Sequence, residues 1–167
     1  MTDNLTGDVI DNVLGLKPSD ELFRLREQRA KMKHLTQTSY NAALRPAEPR
    51  NFSYALRAAI AARMSALWKA DELQAHYLTA LKSENASDDV VEVANPASAA
   101  PGDVKLTTIL AHVDLVTLSP KEATRANIDK LYAAGLDDRD IVTLAGLIAY
   151  VNYQILVVAG LKMMRDN

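Results

Sequence analysis

The chain contains no cysteine among its 167 residues. That absence removes disulfides, thiolate metal ligands and every cysteine nucleophile, and leaves imidazole chemistry to His34, His76 and His112. Net charge is also nearly absent: 19 Lys and Arg stand against 21 Asp and Glu. No global field draws the chain to nucleic acid or to an anionic membrane, and neither partner is expected. Glycine-rich phosphate loops, nucleophile elbows, useful strand-like alternation and a repeat of fixed period are all missing. Met1 to Leu16 lacks a basic region followed by an apolar run, so no secretory signal is expected and the chain reads as cytoplasmic.

What the sequence does have is helical periodicity, and a hydrophobic content of 49%, enough for one domain with a real core. Val9, Ile10, Val13, Leu14 and Leu16 form a short apolar stripe ending at Gly15 and Pro18, which reads as a docking arm over residues 1–18. Ser19, Asp20 and Glu21 then open a helix carried to about His34, with a basic cluster from Arg24 to Lys33 read as its solvated face. Pro46 and Pro49 break the chain. Ser53 opens a long helix carried to about Leu81, with Leu56, Ile60, Met64, Leu67 and Trp68 at three- and four-residue spacing and small alanines between them, which implies close packing. Residues 83–105 turn acidic and small and read as a flexible loop within the domain.

Helical spacing returns from Leu106 to Leu118. Ser119-Pro120-Lys121-Glu122 has the pattern of a capping box that restarts a helix ending at Gly135. Asp137 caps the last helix, which carries no charged residue from Ile141 to Leu161. At about 1.5 Å per residue that run is roughly 30 Å long, the thickness of a bilayer core. Thr143, Asn152, Gln154 and two tyrosines interrupt it, which favours a core helix over a spanning one. A helix apolar all round needs more cover than a small monomer supplies, so a homo-oligomer is expected.

Two segments carry a resemblance. Ala134-Gly-Leu-Asp-Asp-Arg-Asp-Ile-Val-Thr-Leu-Ala-Gly-Leu-Ile-Ala-Tyr-Val-Asn-Tyr-Gln154 resembles the C-terminal helix of AhpD-like (carboxymuconolactone decarboxylase) proteins, in particular their peroxidase-related group. The Ala-Ile-Ala-Ala-Arg-Met-Ser-Ala-Leu pattern of the Ser53 to Tyr77 segment is similar to the helix that carries that family's active site. The resemblance implies an all-α AhpD-like helical domain over residues 19–167, assembled as a homo-oligomer. The family's redox motif is Glu, eleven residues, Cys, two residues, Cys, three residues, His. Anchored on His76, it puts Glu72 at the second cysteine, Lys69 at the first and Arg57 at the glutamate. Only the histidine is kept, so thiol-dependent peroxide reduction does not transfer to this chain.

Within the long helix as expected, Lys69, Glu72 and His76 share one face and Glu72 reaches His76 across a turn. That pair reads either as a general base with its orienting carboxylate or as an exposed ion pair. Two such ligands make no metal site, and no cofactor is expected. His112 lies among apolar neighbours as a core histidine or a ligand. Tyr77, Tyr150 and Asn152 are further candidates to line a small pocket with His76. The expected function is a non-thiol small-molecule binder or acid–base enzyme using that pocket, the catalytic residues being His76 and Glu72. The alternative is a catalytically silent oligomeric interaction subunit.

Overall fold

The computed structural model describes residues 7–100 and 102–166; Met1 to Thr6 of the expected arm and Pro101 of the expected loop lie outside them. Helices and turns make up the described residues, with no strand. In chain order they are α1 (Val9–Leu14), α2 (Glu21–Glu27), α3 (Ala30–Leu44), α4 (Tyr54–Leu67), α5 (Asp71–Ser83), α6 (Asp88–Glu92), α7 (Val104–Leu118), α8 (Arg125–Ala133) and α9 (Asp138–Arg165), with a single 3-10 turn at Pro120–Glu122.

α4 is the axis of the fold: every residue from Arg57 to Ser65 is buried. Its alanines at 58, 59, 61 and 62 carry so little side chain that α3, α5, α7 and α9 all pack against it. The continuous helix expected over residues 53–81 is instead two helices. Lys69 adopts a left-handed backbone (φ 55°), and the Ala70 and Lys69 amides return to the carbonyls of Ser65 and Ala66. This closure, usually given to glycine, caps α4 and turns the chain back as α5, whose first turn carries Asp71 and Glu72.

The helix expected from Ser19 to His34 is likewise divided at Gln28 and Arg29, and its second part continues ten residues further than expected as α3. α1 is capped by Asp8, which accepts from the Ile10 and Asp11 amides, and closed by Gly15 (φ 64°). It packs on α5 and α9 and is held to α2 and α3 by Arg26 on Asp8 and Asp11 and by Lys33 on Asp11. In the segment expected as a loop, α6 forms and the following turn is gathered by Arg63 of α4. That guanidinium donates to the carbonyls of Asn95 (2.7 Å), Ser98 (3.0 Å) and Pro96 (3.1 Å) and pairs with Asp114 (2.6 Å).

Ser119 and Pro120 start a 3-10 turn rather than a helix; α8 begins later, at the Thr124–Asn127 capping box. α9 runs from its Asp137 cap as expected, preceded by Gly135 at φ 87°. Its inner face, Leu144, Leu147, Ile148, Val151, Ile155 and Val158, is buried against the chain's own core. By length and composition α9 is long and apolar enough to cross a membrane.

Candidate functional site

Tyr40, His76, Tyr77, Tyr150 and Gln154 gather where α3, α5 and α9 meet. Burial in helical register leaves Thr36, Tyr40 and Leu44 on the inner face of α3. That register brings the Tyr40 hydroxyl to 2.9 Å from Nε2 of His76 on α5. The Tyr40 ring stands edge-on to Tyr150 of α9, with centroids 6.2 Å apart, and His76 stands edge-on to Tyr77 at 5.1 Å. Tyr77, fully buried, donates its hydroxyl to Oε1 of Gln154, whose amide nitrogen is buried without a protein partner. Tyr153 and Thr36 share a hydroxyl hydrogen bond of 3.0 Å.

Burial sets the protonation of this array. It pushes the His76 imidazole below its ordinary value and the Tyr150, Tyr77 and Tyr40 phenols above theirs, the last opposed in part by the Arg45 charge. At neutral pH the array is therefore uncharged: the phenols are donors and His76 can accept.

A cavity of about 630 Å³, lined in part by Tyr150, lies between α3 and α9. Leu147 and Tyr150 contribute to its lining from α9, with Leu35 and Val142 on either side and Glu48 and Arg57 as its charged residues. A second cavity of about 260 Å³ adjoins it, sharing Met32, Thr36 and Tyr153. His76 lines neither of the two; Tyr150 and Tyr40 stand between it and the larger one.

The other residues singled out in the sequence are dispersed. Glu72 pairs with Lys162 of α9 (2.5 Å) and, more loosely, with Arg165 (3.9 Å). The Lys162 hydrogen bond holds its carboxyl below the usual range. Glu72 and His76 thus have separate partners. Lys69 is exposed in the α4–α5 turn, outside the helix whose face it was expected to share with them. His112 sits half-buried on α7, which packs on α4, α8 and α9; burial lowers its pKa, and its Nδ1 is without a hydrogen-bond partner. Asn152 lies about 200° around α9 from Tyr150, with a buried and unpaired Oδ1. Among the described residues no three His, Cys, Asp or Glu side chains converge as a metal site.

Among the described residues Arg57 meets no carboxylate. It is 1% exposed and donates to the carbonyls of Ala43 (2.7 Å), Phe52 (2.8 Å) and Pro49 (3.1 Å), tying the α3–α4 connection to α4. Thr36 and Tyr40 lie beyond the helix end expected at His34, on the part of α3 that runs on to Leu44. The Thr36–Tyr40–Leu44 spacing was the available signal.

No protein-family model matches the chain, and no curated protein matches it. Among solved structures it is similar to an uncharacterized peroxidase-related protein from Silicibacter sp. TM1040. The TM-score is 0.69 at 20% identity, over 78% of this chain and 68% of that one. The two share the fold.

Proposed function

We propose that the chain is a cysteine-less AhpD-like protein that binds a small apolar molecule, without covalent chemistry, in the cleft between α3 and α9. The cleft itself is the observation that carries this reading. Its volume lies in the range of ligand sites, its walls are mostly apolar, and a few polar groups, among them Tyr150 and Thr36, are in place to orient an occupant. The absence of cysteine and the peroxidase-related neighbour agree with an AhpD-like frame from which the thiol chemistry has gone.

The Tyr40–His76 bond favours a second reading, acid–base chemistry at His76, whose unprotonated imidazole can accept a proton. Against it, Glu72 is engaged with Lys162, and the tyrosines are held in their protonated forms. The reading extends to assembly. On the outer face of α9, away from the cleft lining, Leu156 is 62% exposed on a stretch without charge, chemistry suited to burial against a second copy of the chain.

The neutral, solvatochromic dye Nile red tests the cleft. Saturable binding to one site per chain is expected, and its loss in Gly146→Phe, because Gly146 lines the cleft, a Cβ added there meets nothing within 4 Å, and the ring beyond it takes up cleft space. Binding that does not saturate, or that is unchanged in a folded Gly146→Phe protein, would place the dye elsewhere and remove the support for this reading.

A further inference from the structure

We propose that the molecule taken by the α3–α9 cleft is an amphipathic anion, its apolar body against Leu35, Val142 and Leu147 and its carboxylate directed toward Arg57. This rests on reading the cleft as a ligand site and adds the charge of the ligand.

α4 carries two buried arginines. Arg63, 3% exposed, has the Asp114 carboxylate as well as its carbonyl partners. Arg57 is more deeply buried, and among the described residues no carboxylate is within ion-pair distance of it. Carbonyl dipoles satisfy part of its hydrogen-bonding capacity and leave a full positive charge in a poorly polarisable interior, where a counter-charge is worth far more than at the surface. A guanidinium has more N–H donors than the three hydrogen bonds given to Ala43, Pro49 and Phe52 use.

Arg57 is also part of the lining of the larger cavity. A ligand filling that space therefore meets apolar walls and a buried cation. An apolar molecule bearing one carboxylate matches both, whereas a neutral one leaves the cation as it was and a cationic one is repelled. Glu48, exposed and also in the lining, opposes an anion, so removing its charge favours one.

Isothermal titration calorimetry with octanoate, 1-octanol and octylammonium, which share one chain length and differ in charge, reads the preference directly. Octanoate is expected to bind about tenfold tighter than octanol, as a charge-assisted contact in low dielectric would give, and octylammonium most weakly. Glu48→Gln should tighten octanoate and leave octanol unchanged, and Gly146→Phe should abolish both. Arg57 itself holds the α3–α4 connection and is left in place; the Glu48→Gln arm reads whether the bound carboxylate lies in the cleft, and the octanoate–octanol difference reads the preference for an anion. Octanol binding as tightly as octanoate, lost in Gly146→Phe, would overturn the anion and leave the cleft as a ligand site. If none of the three probes binds, this proposal and the ligand-site reading fail together.

Discussion

Tyr40 and His76 share one hydrogen bond in a place that water reaches poorly, and this fixes what His76 contributes to stability. Removing it by His76→Ala deprives the buried Tyr40 hydroxyl of its partner, at an expected cost of about 1–2 kcal/mol at pH 7.5. Burial puts the folded-state pKa of His76 below the ordinary 6.5 of an unfolded chain. Below that value the unfolded chain binds a proton at position 76 that the folded chain does not, so stability falls as the pH drops through 6.5. Above it the two states match in protonation and the effect vanishes. His112 shifts in the same direction for the same reason and adds to the slope. Urea midpoints at pH 7.5 and 5.5 check both points: the gap between wild type and His76→Ala should narrow on acidification. A gap that widens, or a wild type more stable at pH 5.5, would contradict a buried and neutral His76.

Among the elements, the segment after α5 depends on a side chain far from it in sequence. Its own residues are too small and polar to bury much area, which is why composition alone reads as a loop. Order comes from Arg63, whose donors collect carbonyls of residues 93–98 against α4. Arg63→Met leaves those carbonyls and Asp114 without their partner and should cost about 3 kcal/mol or more, with faster amide exchange concentrated at residues 93–98. A denaturant midpoint close to wild type would show that the turn holds itself. The α4–α5 break was hidden for a different reason: neither glycine nor proline marks it, and Lys69 takes a left-handed conformation that a sequence gives no cause to assign to lysine. Asp71 and Glu72 were the legible sign of a new helix start. Ser119 makes no side-chain cap and its segment forms only a 3-10 turn; the box at Thr124 and Asn127 captures the helix instead. The start of α9 was legible because Gly135 and Asp137 give both the stop and the start in side-chain chemistry. Of the site, His76, Tyr77 and Tyr150 were legible as polar residues on apolar helices. Their assembly with Tyr40, and the separation of Glu72 from His76, depend on how helices distant in sequence pack.

For the whole molecule the open surface of α9 is decisive, because the helix divides into two faces. Val151 is 0% exposed within the single chain, so Val151→Asp should unfold it whatever its assembly. Leu156 stands at 62% exposure, so Leu156→Asp costs a lone chain almost nothing and should separate an assembled one. A membrane-spanning α9 would instead make the wild type partition with detergent. Native mass spectrometry of wild type, Leu156→Asp and Gly146→Phe, each from detergent-free buffer containing Nile red, reads assembly and cleft occupancy together. Expected are a discrete wild-type oligomer of the 18.3 kDa chain carrying one dye per chain, folded monomers for Leu156→Asp, and no dye on Gly146→Phe. A bare wild-type monomer indistinguishable from both variants would contradict both the assembly and the occupied cleft.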